Sequence, residues 1–222
     1  MSIIQSIIGS VQGGGETVPI VITPITSIYA YPGYGNPPLT NGAYGQRGSP
    51  FYPGDANHFV NGLVTGHLIR RGYNGYWMNQ GNHVGAQDNV TVFDGTVQET
   101  LNDPYIAFEQ NRQDTYCLEW KGYWIAPSTG IWNFTVSADD VCWLWLGDAA
   151  ASPDDSNVLC KNDLNANSVS VTAGAWYKIR IRYQEWGGGE SVGVWAGLQG
   201  STVEALYQYP ERLCYNGLSD GF

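Results

Sequence analysis

The feature that most restricts the fold is a series of short apolar segments in the second half of the chain. Turn residues separate these segments, as in Pro127-Ser128-Thr129-Gly130, and no stretch has the 3.6-residue period of an amphipathic helix. Short strands at this spacing are typical of an antiparallel β-sandwich, so we predict an all-β fold. The predicted strands are Tyr116–Ile125, Ile131–Val136, Val141–Leu146, Ser168–Val171, Trp176–Tyr183, Ser191–Ala196 and Val203–Tyr207.

The first third of the chain predicts loops rather than long regular elements. Residues 1 to about 50 are rich in Gly, Pro and Tyr, and Pro removes the backbone donors that a strand needs. Short strands are expected at Pro19–Ile25, Phe59–Arg71 and Val90–Phe93, with a loop over Gly72–Gly85. The 43% hydrophobic content and 29 glycines suit one domain over residues 1–222, in which Gly/Pro/aromatic-rich loops wrap the sandwich.

The charge and the apolar pattern exclude two classes of partner. A formal net charge of −10, with Arg70-Arg71 as the only basic pair, argues against nucleic acid, because like charges repel. No apolar run is long enough for a membrane span, so we expect no membrane insertion of this domain. Scarce lysines, four cysteines and the glycosylation sequons at Asn89 and Asn133 favour a secreted or cell-surface protein.

The four cysteines allow three disulfide pairings and show no zinc-type spacing. Two disulfides are expected in a secreted domain. From proximity in the predicted sandwich, the preferred pairs are Cys142–Cys160 and Cys117–Cys214. Free buried cysteines are the alternative.

Two adjacent carboxylates, Asp139 and Asp140, precede the apolar run Val141–Leu146, which predicts a strand buried on both faces. In a regular strand, neighbouring side chains point to opposite faces, so both aspartates can serve one site only if the backbone between them is distorted. The simpler interpretation is turn chemistry, in which the carboxylates accept local backbone N–H bonds.

Two blocks of the sequence resemble the PA14/GLEYA superfamily, specifically the sugar-binding N-terminal domain of yeast flocculins and adhesins. The first block has the order strand, Pro-x-x-Gly turn, strand, Asp139-Asp140, buried strand, Gly-Asp. In it, Cys117–Lys121 takes the place of the GLEYA signature, of which Leu118 and Glu119 match. The second block, Ala173–Tyr183, is similar to the family strand that leads into a calcium-binding loop. Together the blocks cover roughly residues 116–198.

The resemblance implies a PA14-like sandwich in which Asp139 and Asp140, joined by a cis peptide, both ligate one Ca²⁺. Calcium takes about 6 to 8 oxygen ligands, so a second loop must contribute, and two sugar hydroxyls complete the shell. That loop is expected to be Gln184–Glu190, in which three glycines let the backbone turn its carbonyls toward an ion. Glu185 is the predicted third side-chain ligand, with Gln184 and Glu190 as alternatives. The predicted backbone ligands are Gly187 and Gly189.

The same loop is expected to contact the sugar. Trp186 offers a flat apolar face for the C–H side of a pyranose ring, although it could instead cap the core. The three glycines could also form a plain hairpin loop. The predicted ligand-binding residues are Asp139, Asp140, Gln184, Trp186, Gly188 and Glu190.

These residues predict a non-enzymatic, calcium-dependent lectin or adhesin that binds a terminal hexose or N-acetylhexosamine, with N-acetylglucosamine as one candidate. A monomer displayed in many copies on a fungal cell wall would gain avidity from weak single sites. One alternative is a β-sandwich glycoside hydrolase using two of Glu119, Glu185 and Glu190 as its carboxylate pair. Another is a structural cell-wall module without a ligand.

Overall fold

The computed structural model is a two-sheet β-sandwich and describes residues 20–21, 63–103, 106, 114–162, 167–216 and 221–222. Within those residues, no helix has the length and apolar character needed to cross a membrane. The strands are β1 (Ile20–Val21), β2 (Leu63–Thr65), β3 (Leu68–Asn74), β4 (Glu99–Asp103), β5 (Tyr116–Ile125), β6 (Gly130–Asp139), β7 (Val141–Leu146), β8 (Cys160–Lys161), β9 (Asn167–Val171), β10 (Trp176–Glu185), β11 (Ser191–Leu198), β12 (Glu204–Ala205) and β13 (Leu213–Asn216).

The strands form two sheets that face each other. One sheet has the order β1-β9-β6-β11-β12, and the other has the order β2-β13-β5-β10-β7-β8, with β3 and β4 attached beside β5. The pairings are antiparallel except that β1 runs parallel to β9. A single-turn helix α1 (Asp148–Ala151) follows β7, and short 3₁₀ helices cover Val90–Asp94, Leu206–Gln208 and Pro210–Arg212.

Alternation along the strands builds the main core between the sheets. Leu118 and Trp120 of β5 pack with Ile179 and Ile181 of β10, and Phe134 of β6 meets them from the other sheet. Side chains two residues apart share a face of a strand, which puts every second residue into this core.

A second apolar cluster covers the outer face of the larger sheet. Trp143 and Trp145 of β7 pack there with Trp77 and Phe93, which lie in the segment between β3 and β4. Both faces of β7 are therefore buried, as its continuous apolar sequence predicts.

A buried ion cluster lies on the same outer face. Oε1 of Glu119 accepts hydrogen bonds from Nη1 of Arg180 at 3.1 Å and from Nε of Arg182 at 2.9 Å. Its position opposite Arg182 in the β5–β10 register brings these charges together. Charged groups that are buried in this way are compensated by their partners, which gives Glu119 a structural role.

Several local predictions are wrong. Val90–Phe93 lies in a 3₁₀ helix rather than a strand, and its Val92 and Phe93 pack into the outer cluster. Of the strand expected at Phe59–Arg71, residues 59–62 lie outside the described residues, and the rest is divided into β2 and β3 by Gly66, which has φ 81°. Strand β3 continues to Asn74, so the loop predicted from Gly72 begins later. The sequence pattern did not predict β4, β8, β13 or α1. The loops expected over residues 1–50 lie outside the described residues, apart from 20–21.

The two predicted disulfides are absent, since all four cysteines are free and buried. Cys214 pairs with Tyr123 of β5, six residues from Cys117, so the Cα atoms of the two cysteines lie about 20 Å apart, beyond the reach of a disulfide. Cys142 and Cys160 do share the main core, as diagonal neighbours across β7 and β8. Burial raises the pKa of both thiols, which makes them poorly reactive.

Candidate functional site

The two adjacent aspartates lie where the chain passes from one sheet to the other. Strand β6 of the smaller sheet ends at Asp139, and β7 of the larger sheet begins at Val141. The peptide bond between Asp139 and Asp140 is cis. Both carboxylates lie at the same rim of the sandwich, since Oδ2 of Asp139 approaches Gly189 and Oδ2 of Asp140 accepts a hydrogen bond from the N–H of Trp186.

The glycine-rich loop crosses between the sheets at the same rim. It joins β10 to β11, and the register places Gln184 opposite Val141 and Ser191 opposite Asp139. A Cβ built on Gly189 would lie 3.7 Å from Oδ2 of Asp139, which shows how closely the loop approaches that carboxylate. Two neighbouring strand pairs thus bring together segments that are some 45 residues apart in sequence, as 139 and 184 are.

Asp140 is held by its surroundings, whereas Asp139 is exposed. Oδ2 of Asp140 accepts a hydrogen bond from the backbone N–H of Trp186 at 2.6 Å. Its carbonyl oxygen accepts from Nδ2 of Asn162 at 2.7 Å and from Nδ1 of His83 at 3.1 Å. Burial, with the charge of Asp139 adding to it, raises the pKa of Asp140.

Glu185 lies behind the aspartates and is fully buried. Its Oε1 accepts from the backbone N–H of Gly187 at 2.7 Å, and its Oε2 lies 2.9 Å from the hydroxyl oxygen of Tyr183. That hydroxyl is also 2.7 Å from the carbonyl oxygen of Asp139. Burial is the main cause that raises the pKa of Glu185 to about 7, and the charges of Asp140 and Asp139 add to it.

Gln184 turns away from the rim. Its Oε1 accepts from the backbone N–H groups of Trp77 and Met78 at 2.5 and 2.6 Å, and its Nε2 donates to the carbonyl of Met78 at 2.9 Å. The side chain is fully buried. Gln184 therefore fixes the segment after β3 to the base of the glycine-rich loop, and a ligand would have to displace these bonds to reach it.

Trp186 combines a structural contact with partial exposure. Its Nε1 donates to the carbonyl of Met78 at 2.9 Å, and its ring meets that of His83 edge-on, with centroids 5.0 Å apart. The ring also packs against the outer apolar cluster. Beyond it, Gly187, Gly188 and Gly189 are exposed, and Glu190 is half-buried.

The donor set suits a hard cation in part. The two aspartates offer carboxylate oxygens, and the exposed glycine loop offers backbone carbonyls, the oxygen types that calcium prefers. Within the part of the chain that the structure describes, no three His, Cys, Asp or Glu side chains are grouped to hold a metal. Glu185 would have to release the N–H of Gly187 to become a third carboxylate ligand. The backbone oxygens of the exposed glycines are the other candidate donors.

Sequence reasoning missed several residues that the fold brings to this rim. His83 and Asn162 both donate to the carbonyl of Asp140. Asp114 and Tyr76 lie on the other side of the glycine loop. Asp114 packs against Gly187, and Tyr76 accepts a hydrogen bond from Thr115. Each stands alone in a loop or at a strand end, without a motif around it, so the sequence carried no signal that could have found it.

A comparison with protein-family models agrees with this architecture. The family model that describes the PA14 domain matches residues 70–207. The chain belongs to the PA14 family. The match spans β3 to the 3₁₀ helix after β12, and it includes both loops of the rim.

The chain is similar to several solved structures at low sequence identity. The A domain of epithelial adhesin 6 from Candida glabrata, in complex with Galβ1-3GlcNAc, has a TM-score of 0.50 at 14% identity, covering 71% of this PA14 chain and 91% of that chain. An anti-sigma factor domain-containing protein from Clostridium clariflavum has a TM-score of 0.45 at 15% identity; the alignment covers 63% of this chain and only 44% of that chain. A PA14 sugar-binding domain from an RTX adhesin has a TM-score of 0.43 at 12% identity, with 64% and 95% covered. Among curated proteins, none matches the chain.

Proposed function

We propose that this PA14 domain is a calcium-dependent lectin that binds a terminal hexose or N-acetylhexosamine at the rim formed by the aspartate pair and the glycine-rich loop. Asp139 and Asp140 would hold the ion, together with backbone oxygens of Gly187 and Gly189, and Glu185 is the candidate for a third carboxylate. Bound calcium would supply open coordination positions for neighbouring sugar hydroxyls.

One observation carries this proposal: the two adjacent aspartates lie at a rim of the sandwich directly opposite an exposed run of three glycines. Turn chemistry alone does not account for this arrangement, because Oδ2 of Asp140 is bonded across the rim, to the N–H of Trp186, rather than within its own turn. The carboxylate of Asp139 points toward Gly189. In this arrangement Asp139 and the second carboxylate oxygen of Asp140 could share one ligand.

A hydrolase pair formed by Glu119 and Glu185 finds no support in the sheet geometry. Glu119 lies opposite Arg182 on the outer face of the larger sheet, whereas Glu185 follows Tyr183 on the inner face. Two carboxylates on opposite faces of a sheet cannot flank one glycosidic bond. Glu119 is also held by two arginines. These contacts favour sugar binding over a hydrolase that uses Glu119.

The test is glycan-array binding by multivalent, bead-displayed protein in excess calcium and again in EDTA. We expect binding in calcium, loss in EDTA, recovery on adding calcium back and no release of reducing sugar. The expected loss for Asp139→Asn and Asp140→Asn is complete, because a neutral amide replaces a charged ligand. Asp148→Asn is the matched control, since Asp148 is equally exposed but follows the far end of β7. Unchanged binding by the Asp139 and Asp140 variants would contradict the proposal.

A surface location follows from the same proposal. A weak site that holds one sugar ring is useful when many copies are displayed, because avidity multiplies the affinity. We therefore propose a secreted domain of a cell-surface or cell-wall adhesin, such as a fungal flocculin, that acts as a monomer on glycans of other cells. N-acetylglucosamine is the first candidate to test, with galactose and mannose beside it.

A further inference from the structure

The rim continues beyond the proposed calcium site, along the ends of the strands in the larger sheet. The strand order there is β7, β10, β5 and β3. At the rim, β7 begins after Asp140, β10 ends before Trp186, β5 begins after Thr115 and β3 ends before Gly75. Neighbouring strands are about 4.8 Å apart, so Thr115 lies about 10 Å from Asp140, and Gly75 about 14 Å. This surface is long enough for more than one sugar ring.

Tyr76 stands on this surface with half of its side chain exposed, at 50%. Its hydroxyl accepts a hydrogen bond from Oγ1 of Thr115 at 3.3 Å, and the same Oγ1 is 3.5 Å from the carbonyl oxygen of Trp186. Thr115 has φ 72°, a conformation that a β-branched residue rarely adopts. These contacts fix an exposed aromatic ring beside the glycine loop, although the ring contributes little to either apolar cluster.

Asp114 completes the same surface. A Cβ built on Gly187 would lie 3.2 Å from Cγ and 3.3 Å from Oδ2 of Asp114, so the carboxylate lies directly against the loop. Asp114 is exposed. An exposed carboxylate next to an exposed aromatic ring offers what a sugar needs: acceptors for hydroxyls, and an apolar face for ring C–H groups.

We propose that Tyr76 and Asp114 form a second sugar subsite, so that the preferred ligand is an oligosaccharide that extends from the calcium-bound terminal ring toward β3. Tyr76 supports the apolar face of the second or third ring, and Asp114 accepts its hydroxyl hydrogen bonds. This inference rests on the proposed function, because the terminal ring is placed by the aspartate pair. A single ring is about as wide as one strand spacing and cannot reach Tyr76 from Asp140.

The test compares short and long ligands with the same terminal sugar. Methyl glycosides of N-acetylglucosamine, galactose and mannose are titrated in calcium, and each is compared with chitotriose, lactose or mannotriose by NMR. For the terminal sugar that binds, we expect the longer ligand to bind about fivefold more tightly, the size of one aromatic contact. Saturation transfer should reach the C–H protons of a non-terminal ring.

The variants separate the subsite from the calcium site. Tyr76→Ala should remove the gain from the longer ligand and leave the methyl glycoside unaffected, while Tyr76→Phe, which keeps the ring, should retain the gain. Asp114→Asn should reduce the gain. Tyr207→Ala, at a similarly exposed tyrosine beside the edge of the smaller sheet, is the control.

Each outcome decides between the two proposals. Calcium-dependent binding of a methyl glycoside without any gain from a longer ligand would overturn the subsite and keep the lectin proposal. A gain that survives in Tyr76→Ala would also overturn the subsite. Absence of calcium-dependent binding to every sugar would overturn the lectin proposal, and the subsite with it.

Discussion

Replacing Glu185 with glutamine should stabilise the calcium-free protein at pH 8. Glu185 is fully buried at the rim and lies near two other carboxylates. Burial, with the charges of Asp140 and Asp139, raises its pKa from an ordinary 4.5 to about 7. At about 1.4 kcal/mol for each pH unit, this difference corresponds to about 3 kcal/mol of lost stability once the carboxyl is ionised in the folded protein.

The direction of the pH dependence follows from the pH at which Glu185 ionises in the unfolded and in the folded protein. Well below pH 4.5 the carboxyl is protonated in both states, and it contributes nothing to the pH dependence. Between pH 4.5 and about 7 the unfolded chain releases the proton while the folded protein keeps it, so the free energy of unfolding falls as the pH rises. Above about pH 7 both states are ionised, and the full cost is present.

The hydrogen bonds around Glu185 agree with a raised pKa for this carboxyl. The hydroxyl oxygen of Tyr183 lies 2.7 Å from the carbonyl of Asp139 and 2.9 Å from Glu185 Oε2. One phenolic proton cannot serve both acceptors. A protonated Glu185 donates to the hydroxyl, which then donates to Asp139, and an amide at position 185 donates in the same way. Its oxygen can still accept from Gly187.

The assay is urea unfolding of wild type and Glu185→Gln in EDTA, at pH 5 and at pH 8. We expect the variant to be more stable by about 2 to 3 kcal/mol at pH 8 and by less than about 1 kcal/mol at pH 5. Glu190→Gln, at a half-buried glutamate of the same loop, should change little at either pH. Equal stability of wild type and Glu185→Gln at pH 8 would refute the assignment of a raised pKa to this carboxyl.

Three further outcomes are expected. Gln184→Leu leaves two buried backbone N–H groups without an acceptor, so it should lower the free energy of unfolding by about 2 to 4 kcal/mol in urea titrations. A loss of less than about 1 kcal/mol would contradict the role of Gln184 in fixing the segment after β3 to the glycine-rich loop. Glu119→Ala leaves Arg180 and Arg182 buried without their shared carboxylate, and should cost about 3 to 5 kcal/mol by the same measurement. Thiol titration of protein unfolded without reductant should count four free cysteines, and reductant should not change Tm. A count of two free thiols, or of none, would show that one or two disulfides form.

Much of the sandwich was predictable because its strands carry strong local signals. The strand predicted at Val141–Leu146 has the same bounds in the structure, and so has Tyr116–Ile125. Val90–Phe93 failed, since a short apolar run does not distinguish a strand from a helical turn that packs two side chains onto a covered sheet. The strands β8 and β13 are too short to leave a pattern, and they exist because β7 and β5 offer an edge to pair with.

The chemistry of the rim divides in the same way. The paired aspartates and the three glycines are visible as sequence, and their resemblance to PA14 domains places them in one site. The roles of Gln184 and Tyr76 are not visible, because one depends on a loop 106 residues away and the other on the start of β5.

The sequence by itself determined the all-β class and the buried central strand, since these depend on local periodicity and on turn chemistry, and its resemblance to PA14 domains indicated the two segments that meet at the rim. Only the tertiary structure decided which side chains face the rim, which serve as internal supports, and that the cysteines remain thiols. Those outcomes depend on strand register and on which face of a sheet is covered, and a shift of one residue in register would reverse them.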